Sequence, residues 1–240
     1  VVAKSAPDGY TMLHTSSSHA SLPVITRSLP YDAVRDFTPV TLIVNSVGFL
    51  FVAHPSVPAT SVPQFVTVAK AQPGKITYGS GGIGNVMHFA AEIFNDKART
   101  RLTHVPYKGV GQAITDLLAG RIDTCFGPAT ALLPHIRTGK LKALGITALN
   151  RWSELPDVPT IDEAGVKDYV FVPWYGLWFP AATPQPYVNR IRDEVAKALD
   201  DADIKRAFGE QGFATVGSTP AEFAKIITRE IETNRQLAAK

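Results

Sequence analysis

The run of small residues at Gly79–Gly84 is the segment whose composition and spacing point most directly to binding chemistry. It fits the pattern G-x-G-x-x-G and lies between a predicted strand, Lys75–Tyr78, and a predicted helix, Asn85–Asn95. A glycine-rich loop that leads into a helix presents free backbone N–H groups and the positive end of the helix dipole. With Ser80 and the capping residue Asn85 as added side-chain donors, the segment predicts a site for a carboxylate or a phosphate.

Two other interpretations of Gly79–Gly84 stay open. A dinucleotide-binding fingerprint has the same glycine pattern, so a nucleotide- or dinucleotide-dependent α/β enzyme is the alternative function. That fingerprint also needs an acidic residue about 20 positions further on, where this chain has Val105-Pro106-Tyr107-Lys108. The other interpretation is a tight turn in which glycine is needed for a positive φ angle.

Three further loops follow predicted strands and are also small, hydroxylated or rich in glycine: Thr15–His19, Tyr107–Gly111 and Phe126–Thr130. In open α/β sheets, ligands bind at the carboxyl ends of the strands. Because none of these loops carries a carboxylate, we expect an uncharged, donor-rich cleft for an anion.

Residue types typical of catalysis are present, but not in catalytic patterns. Cys125 lies inside a predicted strand and is expected to be a buried, inert thiol. Ser80 is not part of G-x-S-x-G, and the six histidines show no metal-ligand spacing. His88 lies one turn into the helix after the glycine loop, so it either lines the cleft or packs. We therefore predict no catalytic residue, no metal and no cofactor.

The elements that must position these loops alternate in type. Strands are predicted at Tyr10–His14, Thr41–Val44, Phe49–Ala53, Lys75–Tyr78, Leu102–Val105, Ile122–Phe126, Leu141–Thr147 and Gly212–Val216. Helices are predicted at Val62–Ala71, Asn85–Asn95, Gly111–Leu118, Ala129–Thr138, Thr160–Ala164, Tyr187–Asp200, Asp203–Gln211 and Pro220–Leu237. Alternation of this kind predicts the α/β class, with mainly parallel sheets flanked by helices.

Two extended segments, Thr41–Pro55 and Tyr169–Pro184, are about twice the usual strand length. Each is expected to leave one sheet and enter another, which gives a discontinuous first lobe (residues 1–45 and 171–240) and an inserted second lobe (residues 46–170). The alternative is two long strands of one domain. Trp174 and Tyr175 flank the second crossing, so they are either core residues or part of the cleft wall.

Composition excludes several classes of protein. The chain has 240 residues, 45% hydrophobic and 19% charged, with a net charge of +3 and one cysteine. It is too apolar for disorder, and one cysteine allows neither an intramolecular disulfide nor a cysteine-based zinc site. Scattered basic residues give no support for nucleic-acid binding, and no apolar run reaches the roughly 18 residues of a membrane helix.

Motifs along the whole chain resemble the Bug/TctC family of extracytoplasmic solute receptors. They include Ala6-Pro7-Asp8-Gly9-Tyr10, Leu29-Pro30-Tyr31-Asp32, Tyr78-Gly79-Ser80-Gly81, His104-Val105-Pro106-Tyr107-Lys108-Gly109, Asp116-Leu117-Leu118-Ala119-Gly120 and Leu155-Pro156-Asp157-Val158-Pro159-Thr160. The resemblance implies a type II periplasmic binding protein, whose two α/β lobes close on a small carboxylate like a Venus flytrap. It also implies a periplasmic receptor without catalytic activity that delivers its solute to the permease of a tripartite tricarboxylate transporter. A sensor kinase is a second class of membrane partner.

The resemblance also implies which residues hold the carboxylate. The second lobe would contribute Ser80, Gly81, Gly84, Asn85, His88, Tyr107, Lys108 and Gly109. The first lobe would contribute Thr15, Ser16 and Ser17, with Trp174 and Tyr175 as wall residues. Family members carry an upstream strand, helix and strand, preceded by a signal peptide, and this sequence starts after them. We therefore expect the first lobe to be truncated at its N-terminus.

Overall fold

The computed structural model describes residues 1–26 and 28–238. Contacts within the chain divide it into two compact units, Val1–Ser46 with Pro173–Lys240, and Val47–Val172. The strands are β1 Leu13–Ser16, β2 Phe37–Ser46, β3 Phe49–Ala53, β4 Thr77–Ser80, β5 Thr103–Pro106, β6 Thr124–Pro128, β7 Lys142–Ile146, β8 Trp174–Pro180 and β9 Phe213–Thr215. The α-helices are α1 Ser18–Ile25, α2 Val62–Ala71, α3 Val86–Ala98, α4 Val110–Leu118, α5 Ala129–Arg137, α6 Gln185–Asp200, α7 Ala202–Glu210 and α8 Pro220–Ala238.

The first unit is built on a four-stranded sheet in the order β1-β8-β2-β9, and its paired strands are antiparallel. Trp174, Trp178 and Phe223 form the aromatic centre of its core, where α8 packs on the sheet. Gly176 in β8 leaves room for this packing, because a Cβ at that position would collide with the Phe223 ring. The unit is therefore held together by close contact between one helix and the central strands.

The second unit has a five-stranded sheet in the order β5-β4-β6-β3-β7. β4 runs parallel to β5 and β6, whereas β3 runs antiparallel to β6 and β7. Its core contains the stacked rings of Phe51 and Phe126, with centroids 4.3 Å apart. The buried Tyr169 hydroxyl donates a hydrogen bond to the Ala90 carbonyl oxygen at 2.8 Å, so α3 is also tied to the segment that leads out of this unit.

The α/β class with flanking helices is confirmed, but the sheets are mixed rather than mainly parallel. The strand direction follows from the chain path. β2 leads towards the second unit and β8 returns from it, so the two neighbouring strands point in opposite directions. That the two units act as lobes closing on a ligand stays a prediction.

Several local predictions have a clear outcome. α2 and β3 begin and end as predicted, and Asn85 caps α3. The segment Thr160–Ala164, predicted as a short helix, instead starts with a β-bridge from Thr160 to Ile146 and continues as turns. The serine-rich loop predicted at Thr15–His19 is shorter than expected, because α1 begins at Ser18.

Two findings bear on the classes considered above. None of the helices in the described part of the chain is both long enough and apolar enough to cross a bilayer. The Cys125 thiol is fully buried, and burial raises its pKa to about 12. The thiolate form that reacts with electrophiles is therefore scarce at neutral pH.

Candidate functional site

The segment between β4 and α3, which we call the anion loop (Ser80–Asn85), belongs to the second unit. Its glycines are needed for its shape. Gly82 and Gly84 have φ angles of 127° and 75°, which residues other than glycine rarely adopt. Asn85 ends the loop by accepting a hydrogen bond from the Met87 N–H at 2.9 Å through Oδ1. The chain therefore enters α3 with its first backbone N–H groups at the loop.

Ser80 holds the anion loop together from inside. Ser80 is fully buried, and its Oγ accepts a hydrogen bond from the Gly82 N–H at 3.1 Å. The same oxygen lies 3.0 Å from the Gly82 carbonyl oxygen and 2.7 Å from His104 Nε2. The expectation that the Ser80 side chain is a free donor is therefore corrected: this hydroxyl is already engaged within the loop.

The donors that the anion loop leaves open belong to the backbone. Among the described residues, none accepts a hydrogen bond from the N–H of Gly81, Ile83 or Val86. Val86 is the first residue of α3, where the helix dipole adds positive potential. The Ile83 side chain is 74% exposed at the loop tip. The arrangement has the chemistry of an anion site made from peptide groups.

His88 and His104 lie against the anion loop from α3 and β5. His88 Nδ1 accepts a hydrogen bond from the Gly84 N–H at 3.1 Å, and the two imidazole rings stack with centroids 4.1 Å apart. Burial lowers the pKa of His88, against the opposing effect of Glu92. Burial, together with the neighbouring His88, lowers the pKa of His104 to about 4. Both rings are therefore neutral at pH 7.

The segment Tyr107–Gly109 connects β5 to α4 beside the anion loop. The Tyr107 N–H donates to the Ser80 carbonyl oxygen at 3.0 Å, which fixes the two loops to each other. The Tyr107 hydroxyl is occupied by Asp116 Oδ2 at 2.8 Å, and burial with this bond raises its pKa to about 12. Lys108 is exposed, and no carboxylate among the described residues pairs with it. Gly109 caps α4 with an extended backbone, φ 173°.

In the first unit, Thr15, Ser16 and Ser17 lie where β1 passes into α1. The Ser17 N–H donates to the Trp174 carbonyl oxygen at 2.9 Å. Ser17 is 1% exposed, and its hydroxyl has no hydrogen-bond partner among the described residues. Ser16 Oγ is bonded instead to Ser18 Oγ at 3.1 Å. Ser17 therefore provides a buried hydroxyl whose hydrogen-bonding capacity is unused.

The two predicted wall residues differ in their surroundings. Trp174 is 4% exposed in the core of the first unit, and its indole Nε1–H donates to Glu230 Oε2 at 2.5 Å, so it packs there. A ligand contact by Trp174 stays a prediction. Tyr175 is partly buried and stacks on His14 with ring centroids 5.9 Å apart. A ligand contact by Tyr175 stays a prediction.

Sequence reasoning gave no role to two residues that the structure connects to these loops, His104 and Glu230. His104 belongs to one of the family motifs named above. Its place in the predicted strand Leu102–Val105, on the same face as Leu102, was the one sequence signal that it points inward. Glu230 carried no signal, because its helix is otherwise rich in exposed charge.

The geometry can now be compared with known proteins. The sequence model described as "Tripartite tricarboxylate transporter family receptor" (TctC) matches residues 1–240. The chain belongs to this family. The Bordetella pertussis protein BugT is 34% identical over 233 residues, which are 96% of this chain and 71% of BugT.

Three solved structures agree with the fold of this chain. The R. palustris protein Rpa4515 with adipate has a TM-score of 0.90 at 30% identity, covering 99% of this chain and 81% of that chain. MatC from Rhodopseudomonas palustris with bound malate has a TM-score of 0.89 at 28% identity, and the match covers 99% of this chain and 82% of MatC. The periplasmic binding protein BugD has a TM-score of 0.88 at 26% identity, and the match covers 98% of this chain and 79% of BugD. The chain is a solute-binding receptor of the TctC family and not a nucleotide-dependent enzyme.

Proposed function

We propose that this receptor works in the periplasm, where it captures a small carboxylate-bearing metabolite between its two units and delivers it to a tripartite tricarboxylate transporter. The observation that carries the proposal is the set of open backbone N–H groups in the anion loop, at Gly81, Ile83 and Val86. A carboxylate has two oxygen atoms that accept such donors, and the start of α3 favours its charge.

The first unit supports the same ligand class. A buried hydroxyl without a partner costs stability, so proteins seldom keep one unless something else uses it. In our proposal the ligand accepts the unused Ser17 hydroxyl hydrogen when the units close, with Thr15 and Ser16 beside it. Neutral donors dominate both loops, so the site would recognise a carboxylate by geometry rather than by net charge.

A second acidic group on the ligand is supported by two observations. Rpa4515 and MatC hold adipate and malate, both of which are dicarboxylates. In this chain the exposed Lys108, next to the anion loop, has no carboxylate partner among the described residues. We therefore favour C4 to C6 dicarboxylates, with Lys108 attracting the second carboxylate.

Isothermal calorimetry and thermal unfolding with a panel of C4–C8 mono-, di- and tricarboxylates test the proposal. A ligand present at 100 times its Kd raises the free energy of unfolding by about 2.7 kcal/mol. Uncharged amides of the same acids are the control, because they keep the carbon chain and lose the charge. Stabilisation by none of the acids, or equal stabilisation by the amides, would contradict carboxylate capture.

Delivery to a permease needs a separate experiment. Uptake of the radiolabelled panel acid is measured in cells that carry the two membrane subunits with and without this receptor. We expect uptake to depend on the receptor. Binding without any receptor-dependent uptake would leave a solute receptor that does not serve this transporter.

A further inference from the structure

Three stacked rings beneath the anion loop are not used by the proposed function. Tyr78 on β4, His104 on β5 and His88 on α3 form a bent group of rings that we call the column: the centroids are 4.9 Å apart for Tyr78–His104, 4.1 Å for His104–His88 and 6.3 Å for Tyr78–His88. Their planes are nearly parallel, at 15° and 11°. The rings come from three different elements, so their alignment is a product of the fold.

Each histidine of the column holds one end of the anion loop. His88 Nδ1 accepts the Gly84 N–H at 3.1 Å, and this bond fixes the peptide of a glycine whose φ angle is 75°. His104 Nε2 lies 2.7 Å from Ser80 Oγ, the atom that accepts the Gly82 N–H. Both contacts end on the residues that give the loop its shape.

The contact made by His88 needs an uncharged ring, whereas His104 Nε2 can donate to Ser80 Oγ as well as accept from it. A ring nitrogen that accepts a hydrogen bond carries no proton. Protonation of His88 Nδ1 would place two donors, Nδ1–H and the Gly84 N–H, opposite each other, and the hydrogen bond would be lost. Two charged rings with centroids 4.1 Å apart would also repel each other. Burial lowers the pKa of both rings, that of His104 to about 4.

Other titratable groups facing the column act on it in opposite ways. Tyr78 stacks on His104 from β4, and its hydroxyl donates to Glu92 Oε1 at 2.5 Å. Glu92, on the same helix as His88, favours the charged form of that ring, although burial outweighs it. His88 in turn disfavours the charged form of His104. At pH 7 both histidines of the column are therefore uncharged.

We propose that His88 and His104 are positioning residues for the anion loop, which keeps its ligand-binding shape only while His88 is neutral. Solute affinity would then fall on acidification. The opposite sign is expected if the histidines bind the carboxylate directly, because a charged imidazole attracts an anion. This sign separates the two roles. The consequence for affinity rests on the proposed function, but the loop geometry itself does not.

The first experiment needs no ligand. Nuclear magnetic resonance of protein labelled with ¹⁵N at histidine gives the tautomer of His88, which we expect to be protonated at Nε2. Hydrogen exchange of the Gly84 amide is then followed in three proteins: wild type, His88→Leu and His88→Asn. Asparagine places an amide oxygen near the position of Nδ1 but does not titrate, so it is the matched control.

In His88→Leu, the Gly84 amide should exchange about tenfold faster at pH 7, as for the loss of one hydrogen bond. In His88→Asn, the exchange rate should stay close to that of the wild type and should no longer respond specifically to acid. A His88 protonated at Nδ1, or equal exchange in all three proteins, would overturn the proposal. If the leucine variant fails to fold, the tautomer of His88 and the exchange rate in His88→Asn still test the proposal.

The second experiment measures affinity for adipate by calorimetry at pH 7 and pH 4, since the pKa of His104 is about 4. Protonation of adipate itself lowers the affinity of every variant, so the difference between wild type and variant is the test. Wild-type affinity should fall by several fold, whereas His88→Asn with His104→Gln should fall less, since glutamine can keep the contact to Ser80. An affinity that rises at the lower pH would overturn positioning in favour of direct binding. If neither adipate nor any other acid of the panel binds, the proposed function fails while the tautomer and exchange measurements still test the column.

Discussion

The anion loop of the second unit and the Ser16–Ser18 turn of the first unit are both short, polar segments at the start of a helix, but their hydrogen bonding differs. In the anion loop the side chains of Ser80 and Asn85 accept hydrogen bonds from the N–H groups of Gly82 and Met87, and the open donors are backbone N–H groups. In the turn, the open group is the side-chain hydroxyl of Ser17. The open donors are therefore peptide groups in one region and a side-chain hydroxyl in the other.

The difference predicts different responses to substitution. A loop built on backbone geometry is changed most by residues that alter φ angles, even when they add no chemistry. A turn with an unused hydroxyl loses little of its own stability when that hydroxyl is removed. Three substitutions test this contrast, beginning with the largest expected effect.

Gly82→Ala should break the anion loop. Its φ angle of 127° is poorly tolerated by alanine, and a Cβ would lie 3.3 Å from the Tyr107 carbonyl oxygen. We expect affinity for the best acid of the panel to weaken by about 2 to 3 kcal/mol, measured by calorimetry. Gly139→Ala is the control, because its φ angle is also positive, at 70°, and in the described part of the chain no atom outside its chain neighbours lies within 4 Å of a Cβ there. It should lower stability but leave affinity unchanged; equal affinity loss in both variants would mean that the loop shape is not special.

Glu230→Gln tests the support beneath the Ser17 turn, since Glu230 holds Trp174, whose carbonyl oxygen holds the Ser17 N–H. Burial, opposed by the Trp174 bond, raises the pKa of Glu230 to about 7. The native state therefore binds this proton more tightly than the unfolded chain, and stability falls as pH rises from about 4.5 through 7. The variant should be more stable than wild type at pH 8 by about 1 to 2 kcal/mol in urea unfolding, and the two should converge near pH 4.

Glu232→Gln on the same helix is the matched control, because that side chain is exposed beside Arg235. It should leave the pH dependence unchanged. A Glu230→Gln protein whose stability follows the wild-type pH curve would show that Glu230 does not carry the predicted buried charge.

Ser17→Ala should have the smallest effect on the free protein. Removing a hydroxyl without a partner should leave the free energy of unfolding unchanged or slightly higher, while affinity for the acid falls by about 1 kcal/mol. Ser16→Ala is the comparison, since it removes the bond to Ser18 and should lower stability. Equal affinity of Ser17→Ala and wild type would remove Ser17 from the site.

Local chemistry made much of this fold predictable. α2 is bounded by Ser61 and Pro63 at its start and by Pro73-Gly74 after its end, so its limits follow from caps and breakers. Asn85 was predicted as a cap for the same reason. α1 was missed because three serines and Pro23 read as a loop; it is packed against α8, a contact that is invisible in sequence.

The candidate site was predictable in outline only. The glycine pattern located the anion loop, but the inward role of Ser80 depends on His104, 24 residues away. The column of three rings is assembled from β4, β5 and α3, so spacing within any one element cannot reveal it. Strand direction was also beyond the sequence, because it depends on how the chain travels between the units.

The single cysteine has a practical consequence. Cys125 is fully buried, and its thiol is held in the protonated form, so thiol-directed dyes should ignore it in the folded protein. A cysteine introduced at Ile83, whose side chain is 74% exposed at the tip of the anion loop, would be the one thiol to take an environment-sensitive fluorophore. The chain is thus suited to conversion into an optical biosensor for organic acids, because its own cysteine need not be removed first.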